Sequence, residues 1–337
     1  MLFGNAKGMR DFIFITLMNL PHASAIIFLL STSVIMAQEI SSKFPYESKF
    51  IEVHGSKMHY IDEYADSSNP DQMIFLFIHG NPTSNYLWRN IIPYVRNYGR
   101  AVAPDLIGMG KSDKPDIDYT FHDHYKYLDK FIRQLDLKNI VLVIHDWGSG
   151  LGFHYAFQNK NNIKGIVFME AITQTMKWKD TDLITRYFLR RFRDERKGHK
   201  MIAEKNMFIN KFLFKVGVKR KLTDVEKEYY NSPYPTIESR KPIEVWPKEI
   251  PIDRNPEETH IVISNYAQWL KETETPMLLI YAKPGMIVKK TDVIRLESDI
   301  KNITSIYIGK GKHYIQEDHP HEIGQAIAEW AAEIDAF

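Results

Sequence analysis

The sequence predicts an α/β fold in which helices flank a mostly parallel, doubly wound sheet and a helical cap interrupts the strand order once. Residues 73–78 and 140–144 are continuous apolar runs without alternation, as expected of strands buried on both faces. Helical patterns separate most of the strand-like segments, which favours parallel pairing. Residues 171–255 are rich in helical pattern and lack such runs, so we expect them to form a cap over the carboxyl edge of the sheet.

The strand and helix patterns divide the chain into a core and its insertion. Strand character is found at residues 50–64, 73–78, 100–103, 140–144, 165–169, 277–281 and 304–308. A helix is predicted over residues 122–135, where apolar and aromatic side chains recur at spacings of three and four. The predicted core therefore comprises residues 38–170 and 256–337, with the cap over residues 171–255.

The composition excludes several kinds of chemistry. Of 337 residues, 44% are hydrophobic and 26% are charged, which is an ordinary globular balance. The chain contains no cysteine, so disulfides, thiolate metal sites and a cysteine nucleophile are excluded. Any chemistry must therefore use oxygen and nitrogen groups.

The net charge of +2 gives no global reason to expect a nucleic-acid partner. The charge is nevertheless uneven, because residues 177–221 hold fifteen Lys or Arg against five Asp or Glu. This basic segment is interpreted first as a solvated helical face. The alternative is that it favours escape of an anionic product or contact with an anionic envelope surface.

The first 37 residues have the layout of a secretory signal. Lys7 and Arg10 precede apolar residues 12–20 and 23–37, and the small residue Ala37 precedes a polar segment. We therefore expect a periplasmic or secreted protein. The alternative is a membrane anchor formed by residues 12–37, since an apolar run of about 20 residues can span a bilayer.

A nucleophile is predicted at the end of the buried strand over residues 140–144. The sequence then passes through His145, Asp146 and Trp147 directly into a helical pattern, which has the shape of a nucleophile elbow with Asp146 at its tip. A carboxylate there attacks an electrophilic carbon and forms an ester between substrate and enzyme. The alternative is that Asp146 only caps the helix that follows.

Hydrogen-bond donors are expected from two adjacent strand ends. The backbone N–H groups of Asn81 and Trp147 occupy the positions at which this architecture builds an oxyanion hole. The Asn81 carboxamide and the Trp147 indole are neutral donors as well, and such a pair suits a compact anionic leaving group such as halide. Taken singly, each residue could instead be a turn asparagine or a core tryptophan.

A general base is expected after the last strand, where His313 lies on a loop that contains Gly309 and Gly311. His145 competes for this role, but its place beside Asp146 suits it better to positioning the elbow. The base needs an orienting acid, and residues 281–285 contain no carboxylate. Glu170, at the end of the preceding strand, is therefore predicted to be that acid rather than a surface glutamate.

Neither a metal nor a cofactor is predicted. Two histidine pairs resemble partial metal sites, but no third ligand accompanies either pair. These pairs are His122 with His124 and His319 with His321.

Five motifs follow one another along the chain: His-Gly-Asn-Pro at 79–82, Pro-Asp-Leu-Ile-Gly-Met-Gly-Lys-Ser-Asp-Lys-Pro at 104–115, His-Asp-Trp-Gly-Ser at 145–149, Met-Glu-Ala-Ile at 169–172 and His-Tyr-Ile-Gln-Glu-Asp at 313–318. In this order they resemble the motifs of the haloalkane dehalogenases of the α/β-hydrolase superfamily, and the resemblance runs from about residue 49 to residue 332. The resemblance implies an eight-stranded, mostly parallel sheet of α/β-hydrolase type with a helical cap.

The resemblance further implies a two-step hydrolysis with haloalkane and water as substrates. Asp146 displaces halide held by Asn81 and Trp147, and water activated by His313 with Glu170 then hydrolyses the ester. Three other enzyme classes share parts of the pattern: epoxide hydrolases, fluoroacetate dehalogenases and coelenterazine-oxidising luciferases. A catalytically silent receptor on the same fold is the non-enzyme alternative.

Overall fold

The computed structural model describes residues 39–64 and 72–335. The predicted export signal or anchor at residues 1–37 lies outside these ranges. Within them, no helix is both long enough and apolar enough to cross a membrane.

A sheet of eight strands forms the centre of the described chain. The strands are β1 (Lys49–Val53), β2 (Ser56–Glu63), β3 (Met73–Ile78), β4 (Gly99–Pro104), β5 (Ile140–Asp146), β6 (Ile163–Ala171), β7 (Met277–Pro284) and β8 (Ile303–Gly311). They are ordered β1-β2-β4-β3-β5-β6-β7-β8. Strand β2 is antiparallel to both of its neighbours, and the pairs from β4 to β8 are parallel. The predicted mostly parallel, eight-stranded sheet is confirmed.

The first strand-like segment is a hairpin rather than one continuous strand. His54 and Gly55 both have positive φ, at 50° and 78°, and Val53 pairs with Ser56 across them. Positive φ at both central residues is the geometry of the two-residue turns that match the twist of a hairpin. The prediction of a single segment over residues 50–64 was therefore wrong in this detail.

Helices cover the sheet and build the cap. The α-helices of the described residues are α1 (Ile92–Val95), α2 (Phe121–Gln134), α3 (Trp147–Gln158), α4 (Leu183–Phe192), α5 (Glu195–His199), α6 (Asp224–Asn231), α7 (Lys241–Glu249), α8 (Glu257–Glu272), α9 (Lys290–Asp299), α10 (Ile315–Asp318) and α11 (Pro320–Asp335). Helix α2 lies within one residue of the prediction at both ends. It begins at a capping box in which Thr120 and Asp123 satisfy each other's backbone N–H groups.

The buried strands supply a separate core to each face of the sheet. In β3, Ile74 and Ile78 pack in the cluster that includes residues of α2, α3, α8 and α9. Phe75 and Phe77 point to the opposite face and pack in the cluster that includes residues of α1 and α11. Because alternate side chains of a strand point to opposite faces, a strand covered on both faces has to be apolar throughout.

The inserted region is helical, with α4 to α7 joined by two π-helical segments, Lys200–Glu204 and Phe208–Gly217. Its buried cluster is built largely from residues of the insertion, but it also contains Tyr86 and Tyr314 from the core sequence. The insertion therefore packs its own apolar side chains together with residues that flank the carboxyl edge of the sheet.

Four buried or half-buried charged side chains fasten the insertion to the core, and we call them the cap–core cluster: Arg89, Arg220, Glu226 and Glu317. Arg89 donates from Nη1 and Nη2 to the two carboxylate oxygens of Glu317 at 2.7 and 2.8 Å, and from Nη2 to Glu226 at 2.7 Å. Arg220 donates to both carboxylates as well. Tyr230 adds a hydrogen bond from its hydroxyl to Glu317. Each charge is thus paired and hydrogen-bonded, which burial requires.

Replacing Arg89 with Met should remove one of the two cations that Glu226 and Glu317 share. We expect Arg89→Met to lower the free energy of unfolding by about 3–5 kcal/mol, since two buried carboxylates would then have only Arg220 to balance their charge. Chemical denaturation measures this loss. The control is Lys301→Met, which breaks an exposed ion pair with Glu274 and should cost under about 1 kcal/mol. Equal losses in both variants would contradict the assignment.

Candidate active site

Strand β5 ends in a sharp turn at Asp146. The strand continues through His145 and Asp146, two residues beyond the predicted end, and α3 begins at Trp147. Asp146 has φ 51° and ψ −130°, a conformation that costs energy for a residue with a Cβ and is often found at functional sites. A Cβ at Gly148 would lie 2.1 Å from the carbonyl oxygen of Ile78, so only glycine lets α3 start this close to β3.

The carboxylate of Asp146 points into the site and does not cap α3. Its Oδ1 accepts the backbone N–H of Asn81 at 2.7 Å, and its Oδ2 lies 3.3 Å from Nε2 of His313. Burial alone would raise the pKa of Asp146. The hydrogen bond and charge of His313, together with a hydrogen bond from the Trp147 backbone, hold that pKa below its usual value. The structure therefore contradicts the alternative of a helix-capping aspartate.

His313 lies between two carboxylates. Its Nε2 faces Asp146, and its Nδ1 lies 3.2 Å from Oε2 of Glu170. Burial works to lower the pKa of His313, but the hydrogen bonds to Asp146 and Glu170 and their negative charges raise it to about 9. In the free protein near neutral pH, His313 is therefore a cation flanked by two anions.

Glu170 is fixed by backbone donors from the loop that follows β7. Its Oε2 accepts the N–H groups of Met286 and Ile287 at 3.0 and 2.8 Å. The sequence showed only that this loop lacks a carboxylate of its own, and it gave no signal that the loop would hold the carboxylate of Glu170. The structure thus places Glu170, Asp146 and His313 together at the carboxyl edge of the sheet.

His145 supports the loop that carries His313. Burial and the charge of His313 lower the pKa of His145 to about 3, so its ring is neutral. Its Nε2 lies 2.9 Å from the carbonyl oxygen of His313, which requires that this nitrogen carry the proton and donate it. His145 is therefore not placed to act as the base.

Strand β8 runs to Gly311, so the predicted loop before His313 is shorter than expected.

Asn81 is anchored from two sides. Its backbone carbonyl accepts the hydroxyl of Tyr314 at 3.0 Å, and its Nδ2 donates to the carbonyl of Ile243 in the insertion at 3.2 Å. One carboxamide N–H uses that bond, and the second remains available as a donor. Tyr314 and Ile243 were not among the predicted site residues, because both contacts join residues far apart in the sequence and use backbone carbonyl groups, which any residue type carries.

The indole of Trp147 is held in a stack of three rings. Trp246 of α7 packs against Trp147 with ring centroids 4.7 Å apart, and His124 packs against the other side of Trp246 at 4.2 Å. Burial lowers the pKa of His124 to about 3, so the stacked imidazole is neutral.

No group of three or more His, Cys, Asp or Glu side chains in the described ranges is arranged to hold a metal ion.

The insertion also holds the loop of His313 through backbone groups. The carbonyl of Gly217, at the end of a π-helical segment, accepts the N–H groups of His313 and Tyr314 at 3.0 and 3.1 Å. Asp318, in α10 just beyond this loop, accepts the backbone N–H groups of Lys219 and Arg220. The position of His313 is therefore tied to the position of the insertion.

An epoxide hydrolase would need tyrosines of the insertion to protonate the opening oxygen, and the candidates are Tyr187, Tyr229, Tyr230 and Tyr234. None of the four is among the hydrogen-bond partners of Asp146 in the described residues. Tyr234 is buried, with the ammonium of Lys114 5.3 Å from its ring centroid. Tyr187 is exposed on α4, and the hydroxyl of Tyr230 is bonded to Glu317 in the cap–core cluster. Tyr229 stacks on Tyr86, with ring centroids 4.1 Å apart. The structure thus gives this alternative no support.

Comparison with known proteins agrees with this geometry. Residues 74–320 match the family model of the alpha/beta hydrolase fold. A haloalkane dehalogenase from Mesorhizobium japonicum is 40% identical over 286 residues, which cover 84% of this chain and 91% of that protein. The chain belongs to the haloalkane dehalogenases. A second member, from Sphingobium indicum, is 41% identical over 290 residues, covering 84% of this chain and 94% of that protein.

Solved haloalkane dehalogenases have the same fold. The enzyme DbeA from Bradyrhizobium elkani superimposes with a TM-score of 0.82 at 37% identity, covering 86% of this chain and 99% of that one. The enzyme DatA from Agrobacterium tumefaciens gives a TM-score of 0.78 at 30% identity, with 86% and 97% covered. This dehalogenase therefore has the family's architecture along most of its length.

The charge of His313 can be tested by titration. Histidine NMR of the isotope-labelled protein should show one ring, absent in His313→Gln, with a pKa near 9, and Asp146→Asn should lower it because one of the two anions is removed. Relative to an ordinary histidine pKa of 6.5, this charge stabilises the folded state fully below pH 6.5, and the effect is lost as pH rises through 9. The control is Asp182→Asn, at the exposed N-cap residue of α4, and it should leave the pKa of His313 unchanged. An unshifted pKa in Asp146→Asn would contradict the assignment.

Proposed function

We propose that this protein hydrolyses haloalkanes to primary alcohol, halide and a proton through a covalent alkyl ester on Asp146. The observation that carries the proposal is the buried carboxylate of Asp146, whose Oδ1 accepts the N–H of Asn81 and whose Oδ2 faces His313, with a further backbone hydrogen bond from Trp147. Membership of the haloalkane dehalogenases supports the reaction class.

In the first step, Asp146 is the nucleophile. Its lowered pKa keeps it ionised, and Oδ2 is the oxygen not held by the Asn81 N–H. Oδ2 forms a bond to the carbon that carries the halogen, and the carbon–halogen bond breaks with its electron pair leaving as halide. The second carboxamide N–H of Asn81 and the indole N–H of Trp147 are the donors proposed to stabilise that anion.

Ester formation then removes one cause of the raised pKa of His313. In the resting site, the negative charge of Asp146 helps to raise the pKa of His313 to about 9. The alkyl ester is neutral, so this contribution disappears while burial continues to lower the pKa. His313 can therefore lose its proton after the first step and become the neutral base that the second step needs.

In the second step, water attacks the ester carbonyl while Nε2 of His313 accepts a proton from it. Charge develops on Oδ1, which already accepts the N–H of Asn81, and the Trp147 backbone N–H serves as the second donor. The tetrahedral intermediate collapses as the bond between Cγ of Asp146 and Oδ2 breaks, and Oδ2 takes the proton from His313 and leaves with the alkyl group as the alcohol. The oxygen from water completes the regenerated carboxylate, whose remaining proton passes to His313. Glu170 keeps Nδ1 of His313 oriented throughout.

Removing the base should separate the two steps. We expect His313→Phe, exposed to 1-bromobutane, to release about one bromide per protein and to accumulate a butyl adduct on Asp146. General-base catalysis contributes a factor of roughly 100 or more, so hydrolysis of the adduct should be slower by at least that amount. Intact-mass measurement and peptide mapping detect the adduct.

The matched control is Asp146→Asn, which keeps the shape of the side chain and removes the nucleophilic charge. It should release no bromide at early times and form no adduct. A wild-type rate in His313→Phe, or an adduct at another residue, would exclude the proposed roles.

The halide donors can be tested in the absence of turnover. We expect Asn81→Ala and Trp147→Phe each to weaken bromide binding by roughly 10- to 100-fold, because each removes one hydrogen bond to an anion. Isothermal titration measures the affinity in both variants and in the wild type. Ser239→Ala, an exposed change within the insertion, is the control. Unchanged bromide affinity in both site variants would show that the anion binds elsewhere.

A further inference from the structure

Helix α4 presents an apolar face to solvent. Leu183 is 79% exposed, Ile184 is 72% exposed, and Tyr187 and Phe188 one turn later are exposed as well. Residues spaced by one, four and five positions share one side of a helix. We call these four residues the α4 apolar face. A helix on a globular protein normally turns such a face inward, so its exposure marks an interaction surface.

The exposed face belongs to a helix that is held in place. Asp182 caps its N-terminus by accepting the N–H groups of Ile184 and Thr185. On the other side of the helix, Arg186 donates to the carbonyls of Trp178 and Thr181 at 2.7 and 2.9 Å. Phe192, at the end of the helix, is buried in the cluster of the insertion, whereas the four residues of the α4 apolar face are exposed.

Basic residues outnumber acidic ones beside the α4 apolar face, where the exposed acids are Asp180 and Asp182. The guanidinium of Arg191 lies 4.1 Å from the ring centroid of Tyr187, and that of Arg190 lies 5.2 Å from the ring of Trp178. Lys177 and Lys179 are exposed just before the helix. These residues belong to the segment 177–221, where fifteen basic residues oppose five acidic ones.

We propose that the α4 apolar face and its basic rim dock on the surface of an anionic lipid bilayer. Exposed Leu, Ile, Tyr and Phe side chains enter the boundary between headgroups and acyl chains, while Lys and Arg contact anionic headgroups. The charge decides this occupant, since a second copy of the chain would bring the same basic segment against itself.

The full-length chain allows a local test because it contains no cysteine. Ile184→Cys, labelled with an environment-sensitive fluorophore, reports on α4. Ile261→Cys, at an exposed isoleucine of α8, is the matched control. Both are mixed with phosphatidylcholine vesicles, with or without phosphatidylglycerol, that carry a lipid-attached quencher.

We expect phosphatidylglycerol vesicles to shift the emission of the fluorophore at position 184 and to quench its fluorescence. The fluorophore at position 261 should keep its emission wavelength and its intensity. High salt should reduce the effect, because it screens surface charge. Arg190→Gln with Arg191→Gln should weaken vesicle association by roughly 10- to 30-fold. Lys126→Gln with Lys130→Gln removes the same charge from α2 and should not.

Leu183→Gln, with the label at position 184, should reduce quenching without loss of fold, since its side chain is exposed. The proposal is overturned if the lipid-attached quencher does not reduce the fluorescence of the label at position 184. This holds whether the chain stays free in solution or binds the vesicles through another segment. It is also overturned if the label is already shielded before lipid is added, or if light scattering shows a dimer that Leu183→Gln dissociates. Those results would assign the face to another segment of this chain or to a second copy.

Discussion

The site depends on keeping one carboxylate ionised in a buried place. Burial favours the neutral form of Asp146, so the fold has to supply compensating positive charge and N–H donors. His313 supplies the charge, and the backbone of Asn81 and Trp147 supplies the donors. These groups come from the ends of β3, β5 and β8, and they meet because parallel strands place their carboxyl ends at one edge.

That constraint extends to the insertion. The N–H of His313 is bonded to Gly217, and the carboxamide of Asn81 is bonded to Ile243, so two of the groups around Asp146 are held by cap backbone. The cap–core cluster joins the insertion to the core a few residues further along both segments, through the ion pair between Arg220 and Glu317. The cap is therefore part of the framework that positions His313 and Asn81.

Sequence patterns predicted the buried strands and the functional residues at the ends of strands. Apolar runs located β3 and β5, and the turn after β5 located Asp146, because burial and sharp turns restrict residue type locally. Contacts between distant backbone groups leave no such restriction. Any residue types at 286 and 287 could donate their N–H groups to Glu170, and the position of α4's apolar face depends on what packs beneath the helix.

A row of aromatic rings leads from the exposed face of α4 to His313. Phe188 lies 6.0 Å from Phe192, Phe192 lies 6.5 Å from Phe212, and Phe212 lies 6.3 Å from His313, measured between ring centroids. Haloalkanes are apolar and partition into the same environment as these side chains. A helix that docks on lipid at one end of this row would hold the site beside the phase in which its proposed substrates concentrate.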